Sequence, residues 1–154
     1  FNLVGLPEAS VKESRERVRS AIINSHFTFP DEKITVNLAP ADLPKEGGRF
    51  DLPIALGILI ASNQLPATGI EQYEFAGELA LTGELRPVLG EIPLAMAAAK
   101  HNRVAILPIS NAAIACHIQD AQVVGANQLS DVFFHLTGQQ ALSLTEPKPI
   151  VRAV

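Results

Sequence analysis

Apolar residues recur along the chain with two periods, and the switches between them outline the fold. Residues 1–4, Phe-Asn-Leu-Val, read as a strand that ends at Gly5. Pro7 and Glu8 stand where helices begin. Val11, Val18 and Ile22 then fall at i, i+7 and i+11, one apolar stripe that predicts a helix to about Ser25. Phe27 and Phe29 alternate ahead of the turn signal Pro30-Asp31. Residues 33–38 alternate with period two and predict a strand. A loop over 39–49 follows. Asp51 is placed to cap a helix over 52–62, with Pro53 in its first turn.

The second half reads similarly. Residues 73–81 predict a strand, Thr82-Gly83 a turn, and residues 84–88 the returning arm of a hairpin. A helix is expected from Glu91 to about His101, with Ile92, Ala95, Met96 and Ala99 on its apolar stripe. Residues 104–107 predict a strand closed by Pro108, 111–117 a short helix and 122–124 a short strand. Ser130 is placed to cap a last helix ending at Leu136. Past Gly138 the pattern fades, so residues 1–138 read as one domain and 139–154 as a tail or linker. Strands alternating with helices, plus one hairpin, predict an α+β (mixed α/β) domain in which a mixed sheet packs against helices. The chain opens at Phe1, without Met and already in an apolar stretch, so a strand preceding residue 1 is expected in a longer protein.

Composition narrows the function classes. The 154 residues carry a formal charge of −4 and are 47% hydrophobic and 18% charged, as a globular domain is. An acidic chain does not coat nucleic acid non-specifically, so any such contact must come from a local basic patch. Residues 12–49 hold seven of the twelve basic residues, whereas residues 52–147 hold three basic against eight acidic. Lys12, Arg15, Arg19, Lys45 and Arg49 would form a patch if the first helix and the following loop share a face. Read alone, the charges of that helix, interleaved with Glu13 and Glu16, equally describe a solvated surface. The apolar run 52–61 is too short to span a membrane and reads as a buried helix. No signal peptide is visible. The single cysteine, Cys116, excludes an internal disulfide and a Cys-based zinc site and favours a reducing, cytoplasmic setting.

Motifs for nucleotide binding are missing. There is no Gly-x-x-x-x-Gly-Lys-[Ser/Thr], no Gly-x-Gly-x-x-Gly after a strand and no Gly-x-Ser-x-Gly elbow. The four histidines are scattered, and Cys116-His117 point apart on a helix, so no metal site is expected. Glu78, Glu84 and Glu91 are possible carboxylate partners, but caps and solvated faces explain them as well. The most informative segment is Pro44-Lys45-Glu46-Gly47-Gly48-Arg49-Phe50-Asp51. Its glycines permit a sharp turn and close approach, and the helix behind it offers free backbone N–H groups. It would suit an anion, a nucleophile or another chain, or simply connect strand to helix.

Three stretches carry a resemblance. They are Leu3-Val4-Gly5-Leu6-Pro7-Glu8, Glu13-Ser14-Arg15-Glu16-Arg17-Val18-Arg19, and the run from Ile34 to Ala55 that contains Ala39-Pro40-Ala41-Asp42-Leu43-Pro44-Lys45-Glu46-Gly47-Gly48-Arg49-Phe50-Asp51. With Gly77-Glu78-Leu79-Ala80-Leu81-Thr82-Gly83, they resemble the N-terminal domain of the ComM/YifB family, bacterial AAA+ ATPases often labelled magnesium-chelatase-like. The likeness runs to about residue 138. It implies a Lon-protease-like fold in which a mixed sheet packs with helices, and an AAA+ module that would follow the 139–154 linker.

The protease relationship permits a test of catalysis. Aligning the Pro44-Lys45-Glu46-Gly47 loop puts Arg49 where the protease has its serine, and aligning the hairpin puts Ile92 where it has its lysine, 43 positions on. Arginine offers no nucleophile and isoleucine takes no proton. Lys45 is not a spare base, since the protease loop has its own lysine there. The resemblance therefore implies a non-catalytic accessory domain, without enzymatic activity or cofactor of its own. Its parent would be an ATPase using ATP and magnesium, a ring-shaped homo-oligomer, hexameric in full length, driving DNA branch migration in natural transformation and recombination, as a helicase-like motor. A regulatory domain of a magnesium-chelatase-like ATPase is the alternative, and a peptidase with a displaced catalytic group a lesser one. The candidate contacts to DNA or a neighbouring subunit are Lys12, Arg15, Arg19, Lys45, Gly47, Gly48 and Arg49. No metal site and no membrane contact are expected.

Overall fold

A strand whose residues are apolar on both faces needs cover on both sides, and the 104–108 run Val-Ala-Ile-Leu-Pro is such a strand. In the computed structural model, which describes residues 2–4, 8–31, 35–37 and 48–147, it is the centre of a parallel sheet. The order of elements is β1 (Asn2–Val4), α1 (Glu8–Asn24), β2 (Thr35–Asn37), α2 (Asp51–Ala61), a 3-10 turn (Ile70–Gln72), β3 (Tyr73–Phe75), β4 (Glu78–Leu79), β5 (Leu85–Arg86), α3 (Glu91–Lys100), β6 (Val104–Pro108), α4 (Ile109–Ala115), β7 (Gln122–Ala126) and α5 (Leu129–Leu136). Strands β3, β6 and β7 form the three-stranded sheet, with β6 central and every pair parallel. β1 pairs with β2 in parallel, and β4 with β5 antiparallel. The expected mixed α/β domain is observed. Pro108 has no N–H for the ladder and accordingly stands last in β6, where α4 begins.

Alternation along β6 divides the core in two. Ile106 points into a cluster of large side chains: Val18 and Ile22 of α1, Leu52, Ile54, Leu56, Ile58 and Leu59 of α2, and Leu129 and Val132 of α5. Ala105 and Leu107 point the other way, toward Leu94, Ala95 and Ala98 of α3 and Ala112 and Ala115 of α4. The second layer is built mostly of alanine, so its helices sit close to the sheet. A Cβ added to Gly125 of β7 would lie 3.2 Å from both the Ala112 Cβ and the Ile109 Cα. Each large aliphatic side chain buried in the first layer contributes about 1.5–3 kcal/mol.

Several expectations are corrected. The 73–81 run is two strands: the backbone breaks at Ala76-Gly77, where the Gly77 N–H donates to Arg49 O (3.0 Å) and Gly77 O accepts from the Leu52 N–H (3.0 Å). Gly77 thereby leaves the parallel sheet to hold the start of α2. On α3 the buried residues are Leu94, Ala95 and Ala98, while Met96 is exposed. Every residue from 92 to 99 is apolar, so hydrophobicity chooses no face there; the small volume of Ala95 and Ala98 does. Ser130 lies inside α5, whose cap position is Gln128. The Asp131 carboxylate reaches back to accept the Asn127 N–H (3.3 Å). Asp51 does not cap α2 with its side chain; it is the first residue of that helix, and Phe50 takes the cap position.

Beyond Gly138 the chain still engages the fold. Leu142 packs on the large-residue cluster, Leu144 bridges Val124 of β7, and the Thr145 N–H donates to Val123 O (2.6 Å). His135 of α5 secures this segment: its Nδ1 accepts the Leu142 N–H (2.9 Å), and its ring lies edge-on to Tyr73. Burial holds the His135 imidazole below its ordinary pKa, and an Nδ1 that accepts must be unprotonated. A histidine with a lowered native pKa is stabilising while neutral. That contribution should decline as pH falls below about 6.5, where the unfolded chain takes up the proton first. In an NMR titration the His135 ring should protonate below that value. Melting temperatures of wild type and His135→Gln should differ less at pH 5 than at pH 7.5; a constant difference would show that the ring nitrogen is not an acceptor.

Candidate functional site

The residues singled out from sequence lie in two places, joined by a buried carboxylate. On α1, Lys12, Arg15 and Arg19 are exposed and spaced i, i+3, i+7, so they share one side of the helix. The Arg19 guanidinium lies over the Phe29 ring at 5.8 Å. Glu16 is on the same helix and moderates the patch. Lys45 and Gly47 lie outside the described residues. Gly48 is buried, and a Cβ there would come within 2.7 Å of Glu78 Oε2: its missing side chain admits the Glu78 side chain of β4 across the backbone. The close approach expected at the glycines is thus made, at Gly48, by the protein's own Glu78.

Arg49 does not join the α1 side. A candidate contact to DNA or a neighbouring subunit must reach solvent, but Arg49 is 6% exposed. Its guanidinium lies 5.4 Å from the Phe50 ring centroid and against Gly90, the residue ahead of α3, where an added Cβ would stand 2.8 Å from Nη1. Burial lowers its pKa from the ordinary value, though arginine stays charged. Ile92, half-buried in the first turn of α3, is two residues beyond Gly90. The two positions matched to the protease dyad therefore converge on one turn, holding a guanidinium and an aliphatic side chain.

Asp51 is the junction that sequence reasoning misread. It is 1% exposed and accepts four hydrogen bonds: from Ser14 Oγ (2.7 Å), Arg17 Nε (2.7 Å), Arg17 Nη2 (3.2 Å) and the Leu79 N–H (3.1 Å). Burial pushes its carboxyl above the usual aspartate range; the Arg17, Ser14 and Leu79 bonds pull it back without reversing the direction. The same bond raises Arg17, which also has Glu78 and Glu13 nearby. From spacing alone Arg17 is indistinguishable from the solvated charges around it on α1. The missed signal is Ser14: it falls on the Val11, Val18, Ile22 stripe, and a hydroxyl on a buried face needs a partner.

The remaining candidates are not assembled into a reactive centre. Glu78, Glu84 and Glu91 sit on β4, in the exposed turn after it and at the start of α3, and no hydrogen bond joins them among the described residues. Cys116 is buried and donates to Ala113 O (3.4 Å), while His117 is exposed. Among the described residues no three His, Cys, Asp or Glu side chains gather as a metal site, and no helix is long and apolar enough to cross a membrane.

Comparison with known proteins gives a consistent picture. Residues 1–111 match the family described as subunit ChlI of Mg-chelatase. The chain is 56% identical over 144 residues to competence protein ComM of Haemophilus influenzae, covering 94% of this chain and 28% of the relative. It is 55% identical to the YifB protein of Salmonella typhimurium, covering 92% and 28%, and 52% identical to that of Escherichia coli, covering 97% and 29%. The chain thus spans less than a third of the length of these curated relatives.

Removing one partner of the Asp51 junction strands a charge. Arg17→Met should lower stability by about 3 kcal/mol or more, whereas Arg17→Met with Asp51→Leu should recover much of the loss. Denaturant melts of the single and double variants check this; strictly additive losses would rule out a coupled pair.

Proposed function

The chain belongs to the ChlI-like family that includes ComM and YifB, and from that premise we propose that it is a non-catalytic accessory domain of an AAA+ ATPase that drives branch migration of DNA. The observation that carries this reading is the 56% identity to a competence protein over nearly the whole chain. Competence is uptake of DNA, and the motor would serve natural transformation and recombination in the cytoplasm. Nothing in this chain would hold the parent's ATP and magnesium: it has no phosphate loop, so hydrolysis would belong to other parts of the protein. The domain would position DNA or brace neighbouring subunits of a hexameric ring.

Absence of catalysis is part of the proposal. A serine–lysine peptidase needs a hydroxyl and a neutral amine in reach of each other, and the corresponding turn here presents Arg49 and Ile92. The chain should therefore hydrolyse no peptide above background, and serine-directed acylating probes should leave it unlabelled. Stoichiometric labelling of a serine near Gly48 would overturn this.

For a DNA contact, the exposed side of α1 suits the sugar-phosphate backbone better than Arg49 does. Lys12, Arg15 and Arg19 reach solvent together, as phosphate contacts require. In the full-length protein, replacing all three with Ala should weaken DNA binding similarly for all sequences. It should also reduce the salt dependence by about one unit of slope per lost phosphate contact. Unchanged affinity and slope would remove α1 from the interface. The family description favours a second reading, a regulatory domain of a magnesium-chelatase-like ATPase. ATP hydrolysis by the full-length protein separates the two: stimulation by branched DNA supports the first, and indifference to DNA the second.

A further inference from the structure

We propose that Arg49 and the N-terminus of α3 together form a binding site for a compact phosphate-type oxyanion. The inference does not depend on the accessory-domain reading and concerns a different surface from the exposed side of α1. Arg49 is the one buried arginine among the described residues, and no carboxylate or carbonyl among them accepts from its guanidinium. Arg17, by contrast, is only partly buried and has Asp51. No side-chain nitrogen among the described residues is both fully buried and unpartnered, so the Arg49 guanidinium keeps a narrow access to solvent in place of a counter-charge, and the little water left to it compensates its burial poorly.

The turn that it packs against is an anion-binding element. Helix α3 has ten residues, and its cap residue, Gly90, provides no side chain to its first turn. The Glu91 and Ile92 N–H groups belong to that first turn and have no intrahelical acceptor, while Pro93 has no N–H at all. These amides and the positive end of the helix favour an anion. Gly90 has a φ of +93°, and the absence of its Cβ leaves room for the Arg49 Nη1. The turn is also held in place: Asn111, 4% exposed, donates to Val88 O and accepts from the Val88 N–H, both at 2.9 Å. The planar fork packs on Gly90, the residue ahead of these two amides, and guanidinium binds a tetrahedral oxyanion through two parallel hydrogen bonds. The acidic groups facing the site are Glu91, in the first turn of α3, and Glu78, across Gly48. Neither pairs with Arg49, and both would disfavour a large polyanion more than a single phosphate group. The low exposure of Arg49 likewise favours a free phosphate ion or a terminal phosphate monoester over a phosphodiester inside a duplex.

The test is an amide NMR titration of the 154-residue chain with sodium phosphate, against sodium chloride at equal ionic strength. Saturable shifts of the Glu91 and Ile92 amides and of the Arg49 Nε–H, seen with phosphate and not with chloride, are the expected result. Arg49→Gln should raise the half-saturation concentration at least about tenfold, as loss of a charge-assisted hydrogen bond requires. Should that variant fold poorly, Arg49→Lys keeps the charge without the fork and should bind at an intermediate concentration. A single-stranded oligonucleotide with and without a 5′-phosphate identifies the source. Shifts only with the 5′-phosphorylated strand and with free phosphate place the site at nucleic-acid ends, and shifts with free phosphate alone assign it to the ion. Shifts that follow ionic strength alone, or phosphate binding unchanged in Arg49→Gln and Arg49→Lys, overturn the proposal.

Discussion

One buried carboxylate ties α1, α2 and β4 together. Asp51 stands at the first residue of α2, and its two oxygens take donors from α1 (Ser14 and Arg17) and from β4 (Leu79). A charge at 1% exposure is tolerable only when all of these donors are in place at once. The requirement fixes the rotation of α1, since Ser14 and Arg17 lie three residues apart and must face the same point. It fixes the entry of α2, and it sets where β4 leaves the parallel sheet. The backbone bonds of Gly77 to Arg49 and Leu52 follow the same line of contact. The loop that carried the family resemblance thus enters the fold through an electrostatic junction, and the apolar faces of α1 and α2 meet around it.

That junction stands apart from the turn where Arg49 meets α3. The turn ahead of α3 and the residue before Phe50 still approach each other, with Gly90 making room. What occupies the approach is a guanidinium with its own stacking partner, Phe50. The scaffold depends on Asp51, Arg17 and Gly77, none of which stands at the two dyad positions. Substitution at Arg49 or Ile92 would therefore leave these supporting contacts in place.

Much of the fold was legible because periodicity reports burial. Helices α1 and α2 and strands β6 and β7 follow directly from apolar spacing, and the returning arm expected over 84–88 from the Thr82-Gly83 turn is observed as β5, Leu85–Arg86. The failures share a cause: each depends on a partner distant in sequence. Strand 73–81 looks continuous until Gly77 is claimed by residues 49 and 52. Asp51 looks like a cap until Ser14 and Arg17, 37 and 34 positions away, claim its oxygens. The face of α3 could not be read because all eight residues from 92 to 99 are apolar. Among the candidate site residues, Lys12, Arg15 and Arg19 were legible as charges of one helix, but whether the loop joins their face was not. The burial of Arg49 did not, because it depends on a turn some forty residues on.

The unequal layers of the core give the two sides of the sheet opposite mutational tolerances. On the α1, α2 and α5 side, side chains are large and well surrounded, so truncation opens cavities while modest reshaping among aliphatics is absorbed. On the α3 and α4 side, alanines and Gly125 sit at contact distance, so there is little volume to lose and none to add. Drift in sequence should therefore be conservative in size on one side and nearly frozen to small residues on the other. The alanine-rich helices, unremarkable by composition, would be the more restricted record of descent.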